Sequence, residues 1–279
     1  MRTISSELIT EAVKELCIKA NKTLPDDVIS AITAAKESEP WESASGVLQL
    51  LCDNISLALD QDLPICQDTG VTCVYVDIGQ DVHIEGDLEK AINDGVMQGY
   101  EEGFLRKSVV ADPLRRVNTE TNTPAFINVH IVSGEAFIIT VMPKGFGSEN
   151  MSRLSMLKPS DGVDGVCNFV LETVRLAGPN PCPPIVIGVG IGGTFDTVAA
   201  LAKRALMRPI GQQHPDKFYA GLEAKLLNDV NALGIGPQGF GGKTTALSLA
   251  IESAATHVAG LPVAVNINCH VTRRATAAL

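Results

Sequence analysis

Two runs of alternating apolar and polar residues, separated by Ser133 and Gly134, are the feature that most restricts the fold of this 279-residue chain. They occupy residues 125–142, AFINVHIVSGEAFIITVM. A period of two is typical of strands that bury one face, and a two-residue connection is typical of a tight turn. The segment therefore predicts a β-hairpin within a sheet.

The rest of the pattern alternates between helices and strands. The first sixty residues have the apolar spacing of three helices, starting near residues 5, 25 and 41. Further helices are predicted at 88–103, 161–176, 195–206 and 216–232, and one after the glycine-rich loop 234–245; strands are predicted at 71–78, 185–189 and 261–268. No repeat or linker interrupts the chain. We expect one α+β unit over residues 1–279, with a helical N-terminal region, a mixed sheet that contains the hairpin, and surrounding helices.

Composition and charge exclude several classes of function. Hydrophobic residues make up 45% of the chain and charged residues 19%, as in a protein with a sizeable core, and the net charge is −10. That charge argues against binding to nucleic acid or to an anionic membrane surface. The N-terminus lacks the pattern of a signal peptide, and the apolar runs are too short for a bilayer span. A cytoplasmic location is therefore expected.

The seven cysteines are the clearest candidates for chemistry. Their odd number, without a secretory signal, argues against a disulfide framework. Four of them fall at apolar positions of predicted helices or within a strand, where cysteine is usually a small hydrophobic residue; these are Cys17, Cys52, Cys73 and Cys167. The other three each lie in a turn at the edge of a regular element; these are Cys66, Cys182 and Cys269.

Cysteines in turns suit a metal cluster, because turns present thiolates without burying unpaired backbone groups. An iron–sulfur cubane held by three cysteines keeps one iron without a protein ligand, and that iron can act as a Lewis acid. The three cysteines are far apart in the chain and form no C-x-x-C pattern. From the residues alone, structural cysteines are the preferred interpretation, and a zinc site completed by His270 is a further alternative.

Two glycine-rich stretches imitate nucleotide-binding motifs. Residues 188–193, GVGIGG, match G-x-G-x-x-G, but neither a second strand nor an acidic residue follows at the required distance. These glycines are expected to let another backbone approach closely. Residues 236–245, GPQGFGGKTT, have Pro237 where a phosphate loop needs glycine. This turn is still suited to binding an anion such as a carboxylate.

Four longer motifs resemble a known family. PICQDTG, NPCPPIVIGVGIGGT, GIGPQGFGGKTTAL and HVAGLPVAVNINCH occur in this order. Together they are similar to the N-terminal, cluster-binding half of the class I, iron–sulfur fumarate hydratases. That family includes the α subunits of two-subunit fumarases and of L(+)-tartrate dehydratase. The resemblance extends over about residues 5–275 and favours a cluster over structural cysteines.

The resemblance implies that Cys66, Cys182 and Cys269 ligate a [4Fe–4S] cluster. It further implies that Gln67 holds a substrate carboxylate and that Asp68 is an acid or an orienting carboxylate near the substrate hydroxyl. The structural alternative for Asp68 is an aspartate that stabilises its own turn.

Arg106 matches the arginine with which the family binds a dicarboxylate, and a planar guanidinium suits that contact. Lys107 and Arg115 are alternatives to it. His257 matches the active-site histidine twelve residues before the third cysteine, and His270 is its rival.

The loop 143–150, PKGFGSEN, resembles a family loop that brings backbone N–H groups to the substrate through Gly145 and Gly147. Phe146 stands where another glycine is expected. Cys167 is an alternative to Cys182 as the second ligand, and the match of NPCPP to the family motif decides for Cys182.

The implied reaction is the reversible hydration of fumarate to (S)-malate, a step of the tricarboxylic acid cycle, by an oxygen-sensitive hydro-lyase. Dehydration of tartrate to oxaloacetate is the alternative. No second set of motifs supplies a catalytic base, so a β subunit and a hetero-oligomer are expected. A non-catalytic iron–sulfur scaffold or oxygen sensor is the alternative of another class. The combination of Gln67, Asp68, Arg106 and His257 argues against it.

Overall fold

The computed structural model describes residues 2–279. Its helices are α1 (Ser6–Lys22), α2 (Asp26–Ser38), α3 (Glu42–Asp60), α4 (Leu88–Glu102), α5 (Phe146–Glu149), α6 (Gly162–Ala177), α7 (Phe195–Ala205) and α8 (Lys217–Asn231). Its strands are β1 (Arg2–Ser5), β2 (Val71–Gly79), β3 (Val82–Glu85), β4 (Phe126–Val132), β5 (Phe137–Lys144), β6 (Arg153–Leu157), β7 (Ile185–Gly193), β8 (Ala246–Thr256), β9 (Leu261–Asn268) and β10 (Ala275–Ala278).

These elements form two compact units, and the predicted α+β class is confirmed. Unit 1 contains the residues up to Pro25, Ile55–Phe146 and Arg273–Leu279. Unit 2 contains Asp26–Asn54 and Gly147–Thr272. Within residues 2–279, no helix combines the length and the apolar character that crossing a bilayer requires.

Unit 1 is built on a four-stranded mixed sheet with the order β10–β5–β2–β4. Strand β2 runs antiparallel to β5 and parallel to β4. Apolar side chains of α1, α4, β2 and β5 share one buried core. Both helices begin at capping residues, since Ser5 Oγ accepts a hydrogen bond from Leu8 N at 3.3 Å and Asp87 Oδ1 from Lys90 N at 2.9 Å.

The predicted hairpin at residues 125–142 is wrong in its pairing, although both strands exist. Strands β4 and β5 lie on opposite sides of β2 and do not pair with each other. Their connection crosses the end of β2, where Asp81 N donates to Gly134 O at 3.0 Å. A Cβ on Gly79 would lie 2.1 Å from Gly134 O, so the crossing requires glycine at this position. Alternation identifies strands but does not reveal that a third strand is inserted between them.

Unit 2 contains a second four-stranded sheet, with the order β6–β9–β7–β8. Strand β7 pairs in parallel with β8 and antiparallel with β9. Apolar residues of α6 and α8 pack with those of β7, β8 and β9 in one core. Helix α7 approaches β7 so closely that a Cβ on Gly188 would lie 2.1 Å from Ala202 O, and one on Gly190 2.2 Å from Val198 O. The expectation that these glycines permit close backbone approach is confirmed.

The helix predicted after the glycine-rich loop is wrong, because residues 246–256 form strand β8. The segment ALSLAIESAAT is rich in residues that favour helices. Strand β7, however, offers it a row of backbone partners, with Ile187 opposite Leu249 and Val189 opposite Ile251. Pairing in the sheet therefore overrides the local propensity.

The glycine-rich loop 234–245 binds a carboxylate group of its own unit, unit 2. Lys243 N and Thr244 N donate to the buried carboxylate of Glu39 at 2.8 and 3.2 Å. The carboxylate that this turn binds is therefore a side chain of the protein itself, Glu39.

Replacing Gly190 by alanine is expected to lower the free energy of unfolding by about 1–3 kcal/mol, because the new methyl group would displace the backbone of α7. The shift is measured as a lower urea midpoint of the anaerobically purified chain.

Gly221→Ala is the matched control, since a Cβ on Gly221 of α8 meets no atom within 4 Å. It should leave the midpoint unchanged or raise stability by about 0.5–1 kcal/mol. Equal midpoints for Gly190→Ala and the wild type would contradict the close approach of α7 to β7.

Candidate active site

The turn 66–70, CQDTG, enters strand β2 and is anchored inside unit 1 by buried side chains. The hydroxyl group of Tyr100 donates to Thr69 O at 2.8 Å and lies 3.1 Å from Gly70 O. Asn122 Nδ2 also donates to Gly70 O, at 3.2 Å. Tyr100 and Asn122 are fully buried. The turn therefore has little freedom to move relative to the core beneath it.

Asp68 has the turn-stabilising geometry and also contacts the 143–150 loop. Its Oδ1 accepts a hydrogen bond from Gly70 N at 3.0 Å, two residues further along the chain. Its Oδ2 accepts one from Phe146 N at 3.1 Å. A Cβ on Gly145 would lie 3.1 Å from Oδ2, so glycine keeps this side of the carboxylate open. These two bonds fix the direction of the carboxylate.

Cys66 and Gln67 lie beside each other at the accessible side of the turn. The Cys66 thiol is partly exposed, and its Sγ lies 3.6 Å from Gln67 Oε1. The Gln67 side chain is exposed. Its amide nitrogen can therefore donate to a ligand next to the thiol.

Arg106 lies in the segment after α4, and its backbone is joined to the turn. Thr69 Oγ1 donates to Arg106 O at 2.9 Å, and the residue is exposed. Of its alternatives, Lys107 forms an ion pair with Glu101. The backbone of Arg106 thus lies next to the CQDTG turn, and Lys107 is engaged in an ion pair.

In unit 2 the structure brings Cys182 and Cys269 to the same end of the sheet. Cys182 lies three residues before β7, Cys269 directly follows β9, and Val186 pairs with Asn268 between these two strands. His270 joins the two segments, since its backbone N and its Nδ1 lie 3.4 and 3.0 Å from Cys182 O. Cys182 is exposed and Cys269 is partly exposed.

Cys182 has a backbone conformation that favours a functional interpretation. Its φ of 55° lies in the left-handed region that residues other than glycine rarely adopt. Gln238 supports the turn, because its backbone N and its Nε2 donate to Pro183 O at 2.8 and 2.7 Å. Outliers of this kind are held in place by their surroundings and occur preferentially at functional sites.

His257 lies at the other end of the unit 2 sheet. It follows β8 in an exposed turn, where its Nδ1 accepts a hydrogen bond from Ala259 N at 3.1 Å. Cys182 and Cys269 are at the start of β7 and the end of β9, so roughly 25 Å of strand separates them from His257. Within unit 2, His270 rather than His257 is the histidine next to the cysteines.

Two further residues from the sequence analysis, Gly147 and the alternative ligand Cys167, lie in unit 2. Gly147 lies in α5, where a Cβ would be 4.0 Å from Asn180 O, two residues before Cys182. Cys167 is buried in the core of unit 2, and burial raises the pKa of its thiol. Burial likewise raises the pKa of the Cys17 thiol. Thiols held in the neutral form are poor metal ligands, which agrees with a structural role for both.

Among residues 2–279, no three His, Cys, Asp or Glu side chains are grouped around a position for a single metal ion. Ligands of a cubane cluster bind different irons and do not need to converge on one point.

Sequence reasoning does not predict the buried side chains that support the turns. Tyr100 interrupts an otherwise apolar face of α4, which is a signal that its hydroxyl group has a partner. Arg273, whose Nη2 donates to Asp68 O, stands only four residues after Cys269 in a tandem arginine pair. Neither signal reveals which backbone group is bound.

Comparison with known proteins agrees with these observations. Residues 10–278 match the family described as Fumarate hydratase (Fumerase). The chain is 45% identical over 274 residues to a Methanocaldococcus jannaschii protein named "Putative L(+)-tartrate dehydratase subunit alpha", with 96% of each chain covered. It is 34% identical over 272 residues to the L(+)-tartrate dehydratase subunit alpha of Escherichia coli K12, covering 96% of this chain and 89% of that protein. The chain therefore belongs to the fumarate hydratase (fumerase) family.

Proposed function

We propose that this chain is the α subunit of an iron–sulfur hydro-lyase that reversibly adds water to fumarate to give (S)-malate. The observation that carries the proposal is the pair of accessible cysteines, Cys182 and Cys269, joined through His270 in a member of this family. Membership in the fumarate hydratase family supports hydro-lyase chemistry in general, and fumarate as the substrate is our proposal.

The donor set proposed for a [4Fe–4S] cluster consists of Cys66, Cys182 and Cys269. These three thiols are exposed or partly exposed, whereas three of the other four cysteines are buried. No disulfide joins any of the seven, all of which lie within the described residues. The chemistry and the accessibility of the three thiols fit the cluster. When bound, such a cluster supplies an iron without a protein ligand, which acts as a Lewis acid toward the substrate hydroxyl.

Asp68 and Gln67 are proposed to act directly on the substrate. Asp68 is oriented by the N–H groups of Gly70 and Phe146, and each carboxylate oxygen keeps a further lone pair. It can therefore orient the substrate hydroxyl or transfer a proton to it as water leaves. Gln67, with its exposed amide group, is proposed to donate to a substrate carboxylate.

Arg106 is proposed to bind a carboxylate of the substrate. Its exposed guanidinium group offers two parallel N–H donors, the geometry that suits a carboxylate. Gly145 and Gly147 are proposed to bring backbone N–H groups to the substrate, because neither position carries a side chain that would block the approach.

The role of His257 as an active-site histidine is supported by the resemblance alone. His270, by contrast, is supported by its contact with the Cys182 segment. Comparing His257→Asn with His270→Asn in the cluster-loaded protein would show which of the two histidines belongs to the active site.

A β subunit is proposed as the partner, in a hetero-oligomer. The relatives from M. jannaschii and E. coli both carry "subunit alpha" in their names. We propose that the partner supplies the catalytic base and further cations for the dicarboxylate.

L(+)-tartrate is the second candidate substrate, favoured by the names of the same relatives. Tartrate differs from malate by one hydroxyl group. A site distinguishes such substrates by whether it offers that group a hydrogen-bond partner.

A non-catalytic cluster scaffold or oxygen sensor is less well supported. Gln67, with an exposed amide group, lies in the Cys66 turn, and the exposed residue Arg106 is joined to that turn through its backbone carbonyl group. A sensor has no use for groups that bind a dicarboxylate.

The anaerobically purified chain is expected to contain about four irons and about four acid-labile sulfides. Serine at Cys66, Cys182 or Cys269 should lower both contents strongly, because one of three thiolate ligands is lost. Cys167→Ser, at a buried cysteine in the core of unit 2, is the control and should keep the wild-type content. Iron-free protein, or one zinc per chain, would contradict the cluster.

The chain purified with its partner subunit is expected to hydrate fumarate. The reaction is monitored as the loss of fumarate absorbance. Arg106→Lys should raise KM for fumarate about tenfold, roughly 1.4 kcal/mol, because an ammonium group cannot bind a carboxylate bidentately.

The matched control for that change is Arg175→Lys, at an exposed arginine of α6, which should leave KM unchanged. An unaltered KM in Arg106→Lys would refute the role of this arginine. A higher kcat/KM for L(+)-tartrate than for (S)-malate would instead identify the second candidate substrate.

A further inference from the structure

Arg273 of unit 1 is buried against the turn that carries Cys66. Only 3% of its surface is exposed. Its Nη2 donates to Asp68 O, whereas its Nε and Nη1, also buried, have no hydrogen-bond partner among residues 2–279. Two of its donor atoms are therefore unsatisfied.

The positive charge of Arg273 is also not balanced by an ion pair within residues 2–279. An arginine does not lose its proton inside a protein, and burying its charge without a counter-ion is costly. Arg208 in unit 2, whose side chain is only 10% exposed, shows the usual solution: it binds Glu223 at 2.5 Å and Glu252 at 2.6 Å. The ion pairs of residues 2–279 include no such carboxylate for Arg273.

Arg273 and Tyr100, both buried, hold neighbouring carbonyl groups of the turn. Burial raises the pKa of the Tyr100 hydroxyl group, and the positive charge of Arg273 opposes that rise. Tyr100 in turn binds Thr69 O and lies within hydrogen-bond distance of Gly70 O. The guanidinium group therefore lies behind the segment that presents Cys66, Gln67 and Asp68.

We propose that Arg273 is the fixed counter-charge of the CQDTG turn: a positioning residue that holds Asp68 through its backbone carbonyl and stabilises negative charge on the cluster at Cys66. This inference rests on the proposed function. An internal water molecule could satisfy the free N–H groups, but it would not balance the charge. Thiolates, cluster and dicarboxylate are all anionic, so the functional state supplies the missing negative charge.

Two substitutions separate the charge of Arg273 from its hydrogen bond. Arg273→Met removes both, and Arg273→Lys keeps the charge without the planar fork. The protein is loaded anaerobically and purified with its partner subunit. The readouts are iron and sulfide content, the rate of iron loss to a chelator, the reduction potential from an EPR-monitored titration, and kcat and KM.

For Arg273→Met, the reduction potential is expected to become more negative, because a nearby positive charge favours the reduced cluster. Iron loss should be about 10- to 100-fold faster than in the wild type. For Arg273→Lys, the potential should stay close to the wild-type value, while kcat falls and KM changes little, because Asp68 is less well oriented.

Arg208→Met is the matched control, since it also removes a buried arginine but does so away from this turn. It should lower stability without shifting the potential. An unshifted potential in Arg273→Met, with the cluster present, would overturn the inference and reduce Arg273 to a structural residue. A wild-type protein without iron would overturn the proposed function first, and the inference with it.

Discussion

The hydrogen bonds that hold the backbone carbonyl groups of residues 68–70 are the interactions on which the candidate site depends. Asp68 O is bound by Arg273, Thr69 O by Tyr100, and Gly70 O by Asn122. All three donors are buried, so breaking any of these bonds would leave an unsatisfied polar group inside unit 1. With the carbonyl groups turned inward, the side chains of Cys66 and Gln67 remain accessible. A rigid turn of this kind keeps reacting groups in register with little loss of entropy on binding.

Unit 2 presents its cysteines by a different means, at the ends of paired strands. Helix α7 lies on the glycines of β7, which gives the sheet a dense apolar support. Cys182 and Cys269 then project from neighbouring strand ends, joined through His270. Functional residues on short loops over a rigid sheet are a common arrangement in enzymes, because the sheet fixes their positions while the loops leave them accessible.

Much of this organisation can be predicted from the sequence, and the failures have physical causes. Helices α1 to α4 follow from apolar periodicity, because each buries one face. Strands β2, β7 and β9 follow from short, nearly continuous apolar runs, because they are buried on both faces. The strand order of unit 1 does not follow from periodicity, because the alternation at residues 125–142 is the same whether or not β2 lies between the two strands. Strand β8 depends on its neighbour rather than on its own composition. For the candidate site, the sequence motifs reveal the accessible cysteines in turns. They do not reveal the roles of Arg273 and Tyr100 or the remote position of His257, because these depend on long-range pairing that no local pattern encodes.

We propose that Cys66, Cys182 and Cys269 hold a cubane cluster with one iron open to substrate. Mössbauer spectroscopy of the 57Fe-loaded protein, purified anaerobically with its partner subunit, can test this proposal. We expect four irons, of which one has distinct parameters that change when (S)-malate is added, while the other three do not respond. Four irons that all keep the same parameters with and without (S)-malate, or a spectrum without a cubane cluster, would contradict it.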